Sequence, residues 1–169
     1  MDHAVAHALV RFGLGRRGGE PLPADPGAWA RAQLSGPDPL RLANPPTTAA
    51  GLAALREDRE NRPVPAQSRR RAVFHQDAAA QLGNALITPS PFRERLVWFW
   101  TNHFTVSLRR GDCAALVGAF VEEAIRPYVT GHFVEMLLAV MRHPAMLLYL
   151  DNVASAGPNS PAGQRGKGG

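Results

Sequence analysis

The sequence predicts an all-α fold: a multi-helix, orthogonal or bundle-like domain with long Pro- and Gly-rich loops. Three observations carry this. Apolar residues recur at i, i+3, i+4 and i+7 in several windows, no period-two run is long enough for a useful strand, and Pro and Gly fall where such helices would start and stop. The chain has 169 residues, 45% of them apolar and 20% charged, which is a globular composition with enough length to bury a core.

Residues 3–12 read as a short helix with Val5, Leu9 and Phe12 on one face, stopped by Gly13 and Gly15. Pro26 opens a second short helix carrying Trp29 and Leu34, and residues 35–47 form a loop. Helices are expected at 48–60 and 66–87, with Val73, Phe74, Leu82, Leu86 and Ile87 on the face of the second. Ser90 as N-cap, Pro91 at the first position and Glu94 complementing the dipole mark the clearest helix. Its Leu96, Phe99, Trp100 and His103 have the spacing of one buried stripe. Asp112 can cap a helix running through Arg126, which Pro127 ends. A further helix carries Phe133, Met136, Leu137, Val140 and Met141, and Pro144 starts a short apolar one over 145–150. Residues 1–152 therefore read as one helical domain. Residues 153–169 read as a flexible loop and a basic, glycine-rich tail.

Composition narrows the function classes. Of 19 basic residues only Lys167 is a lysine, a bias that matches GC-rich coding alongside 16 Gly and 15 Pro. The net charge of +5 permits nucleic-acid contact, but the arginines are scattered and the one dense run is Arg69-Arg70-Arg71, so nucleic acid is not the expected partner. Cys113 is the only cysteine, which excludes an intrachain disulfide. No membrane span and no signal peptide are visible, so the chain as written reads as cytoplasmic.

Several motifs fail their structural context. Gly13-Leu14-Gly15-Arg16-Arg17-Gly18 spells a dinucleotide fingerprint, yet a helix precedes it and a proline-rich loop follows. The segment Gly163 to Gly168 lacks the glycine spacing, the hydroxyl after lysine and the strand of a phosphate loop. His3 and His7 are one helical turn apart but lack a third ligand and read as surface residues. His143, before Pro144, reads as closing the preceding helix as a cation.

His103 is the main candidate. On the apolar stripe between Trp100 and Phe104, its imidazole would need a hydrogen-bond partner or a metal. A core histidine bonded to a carbonyl or an acid is one reading, and a site role is the other. Asp151 and Asn152 can simply cap the 147–150 helix, and Asn159 can simply turn the chain. Their clustering after a very apolar helix also makes them, with Asn102, candidate site residues.

The stretch Phe92-Arg93-Glu94-Arg95-Leu96-Val97-Trp98-Phe99-Trp100-Thr101-Asn102-His103-Phe104 resembles the hallmark helix of a bacterial family known as domain of unknown function 1800. The block from Met141 to Asn152, followed by Gly157-Pro158-Asn159-Ser160, is similar to that family's next signature, and residues 8–15 resemble its first helix. The resemblance implies a large helical protein, often exported and often encoded beside a sulfatase-like partner. It carries no established reaction, cofactor or metal. It also implies a continuation beyond Gly169 with an Asn-Glu-Asn segment and a Glu/His helix that would partner His103, Asp151 and Asn159, so the chain reads as a fragment with part of a site. Two readings follow. In one, the chain is part of a hydrolytic or metal-assisted enzyme, with His103 and Asp151 catalytic and Asn102, Asn152 and Asn159 on the substrate. In the other, it is a non-catalytic helical scaffold or binding module for an exported partner.

Overall fold

The computed structural model describes residues 2–16, 18–157 and 159–165. Met1, Arg17 of the glycine-rich stretch, Pro158 of the loop after the second signature, and residues 166–169 of the basic tail lie outside the described residues. Among the described residues the fold is all-α, with no strand. None of their helices is long and apolar enough to cross a membrane.

The first half follows the expected punctuation. Helix α1 (His3–Phe12) is capped by the Asp2 carboxylate, which accepts from Ala4 N, and it buries Val5, Ala8 and Leu9. Helix α2 (Pro26–Ser35) has Asp25 accepting from Ala28 N and Pro26 in its first turn. Helix α3 (Thr48–Asn61) is followed by a 3-10 turn (Pro65–Gln67) and the long helix α4 (Arg69–Ile87). Helix α3 comes so close to the 111–115 segment that a Cβ on Gly51 would lie 2.2 Å from the Ala115 carbonyl oxygen. Only glycine permits that crossing.

Helix α5 (Pro91–His103) touches α1, α2 and the segment after α6. The single helix expected from Asp112 to Arg126 is instead four joined pieces. They are a 3-10 turn (Gly111–Ala115), helix α6 (Val117–Phe120), a π-turn (Val121–Ile125) and a 3-10 turn (Arg126–Tyr128) that continues past Pro127. Asp112 does not cap it; its carboxylate accepts from Arg70 Nη1 at 2.8 Å. Helices α7 (Phe133–Arg142) and α8 (Pro144–Tyr149) pack beside this segment. The stretch after residue 152, read as loop, holds a five-residue helix α9 (Pro161–Arg165).

The core gathers Leu55, Val97, Cys113, Leu116, Phe120, Ile125, Met136, Val140 and Ala145. Two expected apolar faces lie elsewhere. On α4, Leu82, Leu86 and Ile87 are exposed, and Asp77 is that helix's buried residue. On α5, the buried residues are Pro91, Arg93, Glu94 and Val97, whereas Phe99 and His103 face outward. Periodicity located the helix correctly, but a salt-bridged interior turned it.

Candidate functional site

The three charged residues that open the first signature act on three different neighbours. Glu94, 2% exposed, accepts from Nη1 and Nη2 of Arg126, at 2.7 and 2.9 Å. Such a two-pronged pair is the geometry in which a buried charge is best compensated. Arg126 also reaches Glu122 at 3.1 Å and Asp38 at 3.3 Å. Burial works against the Arg126 charge, but these three carboxylates outweigh it and raise its pKa. Burial also pushes the Glu122 carboxyl upward, with Arg126 opposing. Arg93 Nη2 donates to the Leu34 and Gly36 carbonyls, closing α2. Arg95 Nη1 donates to the Val10 and Gly13 carbonyls, closing α1. Arg93-Glu94-Arg95 is therefore a structural clamp on two helix ends and one buried ion pair.

A second theme is capping from a distance. Gln33 Oε1 accepts from Phe92 N in the first turn of α5, where the Ser90 side chain makes no cap bond. Asp58 accepts from Ser68 Oγ and from the Arg69 and Arg70 amides at the start of α4. Burial pushes the Asp58 carboxyl up, but those donors together with the Arg70 charge lower it overall. Glu123 accepts from Thr48 N and Thr48 Oγ1 at the start of α3. His143 Nε2 lies 3.0 Å from Thr48 Oγ1 and 3.4 Å from Glu123 Oε2, while its Nδ1 accepts from Ala145 N. The Nδ1 acceptor role requires a neutral ring with its proton on Nε2. Burial lowers the His143 pKa, with Glu123 opposing. His143 does close α7, its backbone N–H donating to the Val140 carbonyl, but the expected cation is corrected: the ring caps α8 as a neutral imidazole.

His103 is exposed and surrounded by rings. Its centroid lies 5.4 Å from Trp100, 4.8 Å from Phe104 and 6.4 Å from Phe99. Phe133 of α7 completes the group, 5.6 Å from Trp100 and 6.2 Å from Phe104. No hydrogen bond joins His103 to Asp151, Asn152 or Asn159 among the described residues. Asp151, at φ 60° just after α8, pairs with Arg110. Asn152 and Asn159 are exposed on the segment that follows. Asn102 is exposed too, and it lines a groove of about 320 Å³ between α4, α5 and α6. The structure thus does not bring the five sequence candidates together. Among the described residues there is also no cluster of three or more His, Cys, Asp or Glu side chains able to hold a metal ion.

The aromatic group extends into a broad apolar surface. Phe99 is 58% exposed and Val134 63%, and Trp98, Phe133, Leu138 and Met141 are also exposed. On α7, Val134, Leu138 and Met141 share one side at helical spacing, while Met136 and Val140 enter the core. Phe133 and Met141 lie on this outer side. Sequence periodicity could flag α7 as apolar nearly all round, but it could not say which side stays outside.

Fold and surface together define an all-helical domain whose apolar core encloses the Glu94–Arg126 ion pair and whose α5 and α7 expose an apolar, aromatic side. Residues 7–161 match the family described as "Protein of unknown function (DUF1800)", and the chain belongs to that family. No curated protein and no solved structure matches the chain.

Proposed function

We propose that the domain is a helical binding module that docks a partner protein through the aromatic and aliphatic side of α5 and α7. The observation that carries this is the contiguous ring group of Phe99, Trp100, His103, Phe104 and Phe133, continued by exposed Val134, Leu138 and Met141. Apolar surface of this kind costs solubility unless it is used, and aromatic side chains dominate binding hot spots. The sulfatase-like protein that the family resemblance implies is the proposed occupant. Nucleic acid is a poorer fit, because Arg69 pairs with Glu57 and Arg70 with Asp58 and Asp112. A hydrolytic or metal-assisted role would need His103 and Asp151 on one reacting centre, and Arg110 holds Asp151 instead.

The test is co-purification with the co-expressed sulfatase-like partner, followed by calorimetric titration. Phe99→Ser with Leu138→Ser is expected to weaken binding by about 2 kcal/mol or more while leaving the melting temperature in place. Binding that survives both substitutions would sink the proposal.

A further inference from the structure

The groove beside Asn102 is separate from the ring group. Gln81 of α4, Trp98, Thr101 and Asn102 of α5, Thr105 of the following loop and Val121 of the π-turn line it, and no charged side chain does. Its volume, about 320 Å³, falls at the small end of ligand pockets, which run from about 300 to 1,000 Å³.

The walls combine apolar Val106, Val117 and Phe120 with neutral polar groups. Gln81 and Asn102 each present an amide that donates and accepts, and neither side chain makes a hydrogen bond among the described residues. Thr101 Oγ1 is buried and has no hydrogen-bond partner there. Thr105 Oγ1 donates to the Asn102 carbonyl at 2.6 Å and keeps its acceptor lone pairs. Trp98 is 44% exposed at the rim, so an indole face is open to a ligand. The floor includes Val121, where the chain passes from α-helix to π-turn: the Val121 amide is shared by the Val117 and Gly118 carbonyls, and Arg126 N reaches back to the Val121 carbonyl. Such π-turns inside helices are frequent at functional sites.

A carboxylate or phosphate would find no cation here, and an amine would find no anion. An apolar ligand would strip water from the Gln81 and Asn102 amides without replacing its hydrogen bonds. A ring with hydroxyls on its edge and C–H groups on its faces satisfies the amides while stacking on the indole. We infer that the groove between α4, α5 and the π-turn binds a neutral polyhydroxylated ring, the pyranose unit of a saccharide, with Trp98 as stacking platform and the Gln81 and Asn102 amides as hydrogen-bonding groups.

The experiment is amide and indole NMR of the full chain titrated with methyl β-glucopyranoside, methyl N-acetyl-β-glucosaminide, cellohexaose and glucuronate. Saturable shifts at the Trp98 indole and the Gln81 and Asn102 side-chain amides are expected with at least one probe. The hexasaccharide binding more tightly than both monosaccharides would identify a unit within a chain as the ligand. Gln81→Ala and Asn102→Ala, both at solvent-accessible positions, should each weaken binding about tenfold without lowering the melting temperature. Phe99→Ser should leave it unchanged, which separates this groove from the docking surface. No saturable shift with any probe, shifts centred on Trp100, or tighter binding of glucuronate than of the neutral glucoside would each overturn the inference.

Discussion

Helix α5 has two sides that invert the usual order. The side facing the interior carries Arg93 and Glu94 beside Val97, and the side facing water carries Phe99 and His103 against Trp100. The inner side is polar because each charge there has a specific partner: Glu94 with Arg126, Arg93 with two helix-end carbonyls. On the outer side Phe99 is exposed, while Trp100 beside it packs partly against the core. The difference teaches that hydrophobic periodicity locates a helix but does not orient it when a buried ion pair competes for the interior.

The comparison breaks most visibly at the ion pair. Glu94→Gln should destabilise by about 3 kcal/mol, because buried Arg126 loses its two-pronged partner and keeps only Glu122 and Asp38, as chemical denaturation would show. Glu94→Met with Arg126→Leu should recover only part of that loss, since Glu122 and Asp38 would then lose their cation. Full recovery would mean those two acids contribute nothing.

Next in size is Arg93→Ala, which strips donors from the Leu34 and Gly36 carbonyls and is expected to cost about 2 kcal/mol. Hydrogen exchange should locate the loss at the C-terminal turn of α2. A uniform loss across the domain would argue against the clamp.

A smaller effect comes with pH. The folded His143 pKa is depressed below its ordinary 6.5, so its contribution is complete above that value and is lost as pH falls through the folded pKa. Asp77 works in the opposite direction. Burial raises its carboxyl to about 6, so a penalty present above that pH disappears as pH falls towards 3.8. His143→Asn keeps a capping acceptor without titrating. Between about pH 7.5 and about 5.5 the melting temperature of the native chain should therefore fall more than that of the variant. Parallel curves would remove His143 from the pH response.

Smallest of all, Phe99→Ser should change folding stability by less than about 0.5 kcal/mol. A larger loss would show that the outer rings hold the fold rather than await a partner.

Much of the skeleton was legible. Proline marked the starts of α2, α5 and α8, because that signal acts within one turn of the chain. The family was legible from two blocks of residues, and residues 7–161 match it. The site was much less so. Asn102 does line a groove, but Gln81 and Trp98 beside it gave no signal, since an amide or an indole on a helix has no local signature. The stretch from Asp112 to Arg126 read as one helix because single turns of 3-10 and π geometry are too short to shift an apolar pattern visibly.

By itself the sequence determined that this protein is helical, where most helices begin, and which family it belongs to, all consequences of short-range sterics, capping and spacing. Only the tertiary structure decided that Glu94 faces inward, that His143 is a neutral cap, and that the rings of α5 and α7 meet in water. Those outcomes depend on partners such as Arg126, Thr48 and Phe133, which lie tens of residues away along the chain. A side chain's burial and charge state are set by whichever distant group reaches it, and no local window contains that group.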